Sequence, residues 1–117
     1  MVVIVDDDES MRGAIEGLMK SVGLKARGFA SAEEFLESDE KRRIGCLILD
    51  LRMPGMSGLD LHAALRAAQR PIPTIFITAH GDERARREAL RAGALDFIAK
   101  PFDDEALVAT VRTALAS

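Results

Sequence analysis

Cys46-Leu-Ile-Leu-Asp50 carries four apolar side chains straight into one carboxylate, and Leu-Arg-Met-Pro54-Gly-Met-Ser-Gly58 turns the chain immediately afterwards. An apolar run of this length, closed by turn residues, reads as a buried strand. Asp50 then stands at the carboxyl end of a central strand, which is where open α/β sheets present their chemistry. The rest of the chain reads as the scaffold for that carboxylate.

Similar runs recur along the chain. Val2–Val5 is a β-branched strand candidate ended by Asp6-Asp-Asp-Glu9-Ser10. Met11, Ala14, Ile15, Leu18, Met19 and Val22 then recur at helical spacing, with acidic residues at the positive end of the helix dipole and Gly23 as the stop. Leu24–Phe29 is a weaker strand, and Ser31-Ala-Glu-Glu34 resembles a capping box opening a short helix through Leu36. Lys41-Arg-Arg43 falls in a polar connection before the third strand, Cys46–Asp50. Ser57 caps a third helix with Leu61, Ala64, Leu65 and Ala68 facing inward, and Arg70-Pro-Ile-Pro73 breaks it. Thr74–Thr78 is the fourth strand; a fourth helix runs from Gly81-Asp82 through Ala92 and stops at Gly93. Leu95–Ala99 is the fifth strand, and Leu107, Val111, Ala114 and Leu115 mark the inner face of a last helix. Five strands alternating with five helices imply an α/β fold: a parallel sheet with right-handed crossovers and helices on both faces. The fourth helix offers mostly Ala85, Ala89, Leu90 and Ala92 to the core, so it is expected to be the least firmly held.

Length and composition bound the function. A chain of 117 residues, 48% hydrophobic and 30% charged, suits one globular domain spanning 1-117. A formal net charge of -3 gives no general case for nucleic-acid binding. No apolar run approaches the ~18 residues of a membrane span, and Met1 leads into Val2 without a charged leader, so neither a membrane partner nor a signal peptide is expected. Cys46, the single cysteine, has no partner for an internal disulfide and reads as a small core hydrophobe; the cytoplasm is the expected compartment.

Four strand ends carry chemistry-bearing residues: Asp6 and Asp7, Asp50, Thr78 and Lys100. A parallel sheet gathers them on one rim. Three carboxylates there repel one another, and a cation removes that penalty. Hard oxygen ligands without clustered His or Cys favour Mg²⁺ over Zn²⁺. The hydroxyl and the ammonium suit the extra oxygens of a phosphoryl group, and a carboxylate can accept that group as an aspartyl-phosphate. Taken singly, each of these residues has a plain structural explanation, such as a helix-dipole acid or a turn lysine. Their joint placement at separate strand ends is what points to a site.

Val5-Asp-Asp-Asp8, Leu49-Asp50-Leu-Arg-Met-Pro-Gly-Met-Ser-Gly58, Thr78-Ala79 and Lys100-Pro-Phe102 resemble the receiver domain of two-component response regulators, in the family's order and across essentially the whole chain. Ile77-Thr-Ala-His-Gly-Asp82 and Asp96-Phe-Ile-Ala-Lys-Pro-Phe102 further resemble the FixJ-like branch, whose members usually carry a helix-turn-helix output domain. The resemblance implies a flavodoxin-like (βα)5 three-layer sandwich with strand order 2-1-3-4-5. It implies Asp50 as phosphoacceptor, Asp7 as direct metal ligand, Asp6 as a ligand acting through water, and the Arg52 backbone carbonyl as the third protein ligand. The cofactor would be Mg²⁺, with Mn²⁺ as a substitute. Thr78 matches the switch hydroxyl beside a small Ala79, Lys100 the ammonium that contacts the phosphoryl group, and Phe97 the aromatic switch. Arg52 and His80 match variable positions that tune dephosphorylation, Asp8 serves the helix start, and the Lys100-Pro101 bond is expected to be cis. His62 reads as a surface residue on the polar side of the third helix.

The resemblance implies phosphotransfer from a sensor histidine kinase, with the chain catalysing only its own phosphorylation and dephosphorylation. Arg84, Arg86, Arg87 and Arg91 on the fourth helix, and Asp96, Asp103, Asp104 and Glu105 after it, are expected to meet across a homodimer formed on phosphorylation through the fourth helix and fifth strand. DNA would be reached only through an output domain outside this chain. The alternatives are a stand-alone receiver that docks on a partner protein, and a Mg²⁺-dependent phosphatase using Asp6 and Asp8 as an Asp-x-Asp pair. A flavodoxin-like cofactor binder is disfavoured by the absence of Trp and Tyr and by the acidic rim.

Overall fold

Val2–Val5 (β1) consists of four aliphatic β-branched residues, all fully buried. A strand with no polar face needs cover on both sides, as the strands of parallel sheets have. The computed structural model, which describes residues 1–38, 44–78 and 83–116, places β1 inside the sheet. It pairs in parallel with Ala26–Phe29 (β2) on one edge and Cys46–Asp50 (β3) on the other. Thr74–Thr78 (β4) adds to β3 with Asp50 opposite Ile77, and Asp96–Ala99 (β5) adds to β4 with Thr78 opposite Ala99. The order is β2-β1-β3-β4-β5, as expected, and the chain reverses direction across the sheet between β1 and β3. That switch point opens a crevice at the carboxyl ends of those two strands.

Alternation along the strands divides the core into two. Val2, Ile4, Cys46, Ile48, Ile75 and Ile77 pack with Glu9–Ser21 (α1) and Asp104–Leu115 (α5) through Ile15, Met19, Leu107, Val111 and Ala114. Val3, Val5, Leu47, Leu49 and Phe76 pack on the opposite face with Ala32–Glu37 (α2), Gly58–Ala67 (α3) and Glu83–Arg91 (α4). The result is a three-layer sandwich. Cys46 lies in the first of these cores, where burial pushes its thiol up to about 12, so it serves as a small hydrophobe. No described helix is long and apolar enough to cross a membrane.

Caps fix the helix starts that matter for the rim. Asp8 Oδ1 accepts from the Ser10 and Met11 N–H groups, which begins α1 directly after Asp6 and Asp7. Ser57 and Asp60 exchange reciprocal bonds in a capping box that begins α3, and Ser31 accepts from the Glu34 N–H at the start of α2.

Several expectations need correction. Leu24 is not in β2; its N–H closes the turn after α1 on the Met19 carbonyl, and pairing starts at Ala26. Ala68 is the exposed C-cap of α3, outside its buried face. α4 sets only Ala85 and Ala89 fully into the core, while Leu90 is 40% exposed. Each buried alanine carbon yields about 0.8 kcal/mol, against about 1.5–3 for a buried leucine or valine, so α4 gains less from burial than a helix that sets leucines into the core. His62 is not a surface residue: it is 5% exposed and stands edge-on to Phe76, with ring centroids 5.7 Å apart. Burial, then the nearby Arg66 charge, lowers its pKa below the usual histidine value and favours the neutral ring. The Lys41-Arg-Arg43 connection, Ala79, His80 and the Gly81-Asp82 helix start lie outside the described residues.

Candidate functional site

The crevice at the switch point is acidic because β1 ends in Asp6 and Asp7 and β3 ends in Asp50. One carboxylate oxygen from each of the three lies within 4.8 Å of the others. Asp6 is 2% exposed and held from all sides. Its N–H continues the β1–β2 ladder onto the Phe29 carbonyl at 3.1 Å, and its Oδ1 accepts from the Asp8 N–H at 2.9 Å. Its Oδ2 lies 3.5 Å from Lys100 Nζ in a shielded ion pair. Asp7 is exposed, and Asp50 is half-buried.

Asp50 is electrostatically unsettled. Its carboxyl is pushed up to about 7. Burial is the first cause, the Asp6 charge the second, and a hydrogen bond with the Asp7 carboxyl adds to both. The Arg52 N–H, which donates to Asp50 Oδ1 at 3.3 Å, and the Lys100 ammonium pull the other way without winning. Three converging carboxylates with no histidine or cysteine among them form a hard-oxygen donor set, which fits Mg²⁺ or Mn²⁺ and not Zn²⁺.

The remaining residues arrive from β4 and β5. Thr78 ends β4 and is 2% exposed; its carbonyl accepts from the Lys100 N–H at 2.7 Å, which brings Lys100 beside the end of β4. The Lys100-Pro101 peptide is cis, as expected. Phe97 is half-buried on the α2–α4 side of the sheet, in register with Phe76 of β4. Asp6, Asp7, Asp50, Thr78 and Lys100 therefore all sit at strand carboxyl ends on one rim. Phe97 lies back along β5, and Arg52 is exposed in the loop after Asp50. His80 lies outside the described residues.

Three contributors were not read from the sequence. Gly58 starts α3 directly against the backbone of Asp50: a Cβ there would run into the Asp50 carbonyl and come within 3.2 Å of the Phe76 ring. Arg12 of α1 donates from Nη1 to the Asp6 carbonyl at 2.7 Å, with its stem lying over Gly28. Glu33 of α2 accepts from the Met56 N–H in the loop after β3. The glycines at 28 and 58 were the available signals, since each marks a close approach whose partner only the fold supplies.

Similarity to known proteins agrees with this geometry. Residues 2–112 match the response regulator receiver domain family. The chain is 46% identical over 115 residues to response regulator protein TmoT of Ectopseudomonas mendocina, covering 98% of this chain and 52% of that protein. It is 37% identical over 114 residues to transcriptional regulatory protein FixJ of Bradyrhizobium diazoefficiens, covering 97% of this chain and 56% of that protein. A crystal structure of FixJ-N matches with a TM-score of 0.90 at 41% identity, covering 98% of this chain and 92% of that one. The chain spans about half the length of the curated relatives it matches. Strand order, acidic rim and similarity along the chain converge: the chain belongs to the response regulator receiver domain family, in its FixJ-like branch.

Proposed function

We propose that Asp50 accepts a phosphoryl group from a phosphohistidine on a sensor histidine kinase, and that this modification switches an output. The observation that carries the reading is the meeting of three carboxylates and one ammonium on a single rim. Asp6, Asp7, Asp50 and the Arg52 backbone carbonyl would hold Mg²⁺, which supplies positive charge to the carboxylates and to the transferring group. An Asp50 oxygen attacks phosphorus, the phosphorus–nitrogen bond of the donor breaks, and the imidazole leaves with the electron pair. Asp50 must be ionised to attack, and its raised pKa makes that state costly without a cation. Lys100 exchanges its Asp6 partner for a phosphoryl oxygen, and the Thr78 hydroxyl turns toward another. Phe97 then fills the space beside Thr78, and α4, held by two alanines, shifts.

The exposed arginines of α4 and the acidic residues of β5 and α5 fit a homodimer formed on phosphorylation. Because the chain spans about half of its transcription-regulating relatives, the output we assign is a DNA-binding domain elsewhere in the full protein. The site acts on its own aspartate and turns over no separate substrate, and the cytoplasm is where the kinase and the output would meet. The Asp-x-Asp phosphatase reading loses its second carboxylate, since Asp8 caps α1.

Incubation with acetyl phosphate and Mg²⁺, followed by mapping of the modified residue, tests the assignment. Label on Asp50 that Asp50→Asn abolishes is the expected result, and label on Asp6 overturns it. Light scattering with beryllium fluoride tests the switch: a chain that stays monomeric at high concentration overturns the dimer.

A further inference from the structure

The loop after β3 is gripped from two sides. On the inner side, Met53 is buried in the core that α2, α3 and α4 share with the sheet, and Met56 packs against it. On the outer side is one carboxylate from a different element. Glu33, in the first turn of α2, accepts the Met56 N–H on Oε2 at 3.2 Å, across 23 residues of sequence. Pro54 followed by Gly55 at φ +74 is a residue pair that suits a type II turn. In such a turn the next N–H ordinarily closes onto the carbonyl three residues back; here that N–H, on Met56, is given to Glu33. A Cβ on Gly55 would stand 2.6 Å from the same Oε2, so the turn also leaves room for the carboxylate. α2 itself is seated by buried Ala32 and Phe35, which gives Glu33 a fixed base.

We infer that Glu33 is a positioning residue for the site: through Met56 it sets the path of the 51–57 loop, and so the placement of the Arg52 backbone group that would serve the cation beside Asp50. The inference rests on the metal-dependent reading above. Glu33 does not join the cluster of Asp6, Asp7 and Asp50; it acts on the loop as a hydrogen-bond acceptor, and its charge is incidental to that role.

Three variants separate the tether from the charge. Glu33→Gln keeps an acceptor of the same reach without the charge. Glu33→Asp keeps the charge and the favourable place at the helix start but falls short by one carbon. Glu33→Ala loses both. The readouts are the Mg²⁺ dissociation constant from backbone-amide NMR titration and the hydrogen exchange of the Met56 amide without metal. Glu33→Ala and Glu33→Asp are expected to weaken Mg²⁺ binding about fivefold, the worth of one net hydrogen bond, and to speed Met56 exchange, with Glu33→Gln staying near wild type. Equal weakening in Glu33→Gln and Glu33→Ala would mean that only the charge matters and would overturn the inference, as would unchanged binding in Glu33→Ala. If Glu33→Ala folds poorly, Glu33→Asp decides between the two: binding as tight as wild type overturns the tether. A wild type that binds no Mg²⁺ would overturn the site reading itself, whereas failure confined to the variants overturns only the role of Glu33.

Discussion

Arg66 Nη1 donates a 2.6 Å hydrogen bond to the carbonyl of Ala92, so the last turn of α3 is fastened to the end of α4. A cation on a free carbonyl at a helix C-terminus is favourable both as a hydrogen bond and as a partner for the helix dipole. The next residue, Gly93, has φ +99, and any Cβ there would strike the same guanidinium. α4 is thus held at its C-terminal end by this bond and along its inner face by buried Ala85 and Ala89.

Arg66→Ala should lower the urea unfolding free energy by about 1 kcal/mol and speed amide exchange at Gly93 and Ala94. Gly93→Ala should cost about 1–2 kcal/mol from its left-handed backbone alone, plus the collision with Arg66. The double variant should be less destabilised than the sum of the two, because removing the guanidinium removes the collision.

Gly58→Ala should damage the site and the fold together. The added methyl meets a backbone carbonyl, which cannot swing aside as a side chain can. Overpacking of this kind costs about 1–3 kcal/mol, and Asp50 must shift to accommodate it. Reduced stability with reduced Asp50 labelling at saturating Mg²⁺ is the expected outcome.

Acid should stabilise the metal-free protein through Asp50. Its native carboxyl holds a proton up to about 7, whereas the unfolded one releases it near ~3.9. Between those values the native state binds more protons, so this contribution is complete below the lower value and lost as the pH rises through the higher one. Asp50→Asn should therefore be more stable than wild type at pH above about 7 without Mg²⁺, with the gap closing in acid. A Mg²⁺ ion held by Asp50 would have to displace that proton, so its affinity should rise about tenfold per pH unit up to neutrality and then level off. Urea titrations and Mg²⁺ titrations across pH check both slopes.

His62 should act in the opposite sense. Its native pKa lies below the ordinary value, so its contribution is complete above about 6.5 and fades as the pH falls through the native value. His62→Phe keeps a ring against Phe76 and cannot titrate. Its stability relative to wild type should improve as the pH falls below about 6.5, read from the urea midpoint.

The rim was legible because a parallel sheet leaves little choice. Once Val2–Val5, Cys46–Asp50, Thr74–Thr78 and the run before Lys100 read as strands, their carboxyl ends had to share one edge, and Asp6, Asp50, Thr78 and Lys100 followed. His62 was misplaced because residue type was weighed above position. It faces the same side as Leu61 and Leu65, stands edge-on to Phe76, and lines a cavity with Pro71, Ile72 and Pro73 of the turn before β4. Leu90 erred the other way, an apolar residue on a helix that meets the core along one narrow alanine stripe. Arg12 on Asp6 and Glu33 on Met56 left no trace in any periodicity, since each joins elements whose approach depends on the finished packing.

Lys100 and Asp6 meet across 94 residues of sequence. While the chain is being synthesised, the carboxylates of β1 and β3 exist long before the ammonium that faces them. A nascent chain that has not yet reached β5 carries an acidic rim without its counter-charge. The groups that would handle a phosphoryl group come together only when β5 has joined the sheet, so the rim is completed late in the chain's synthesis.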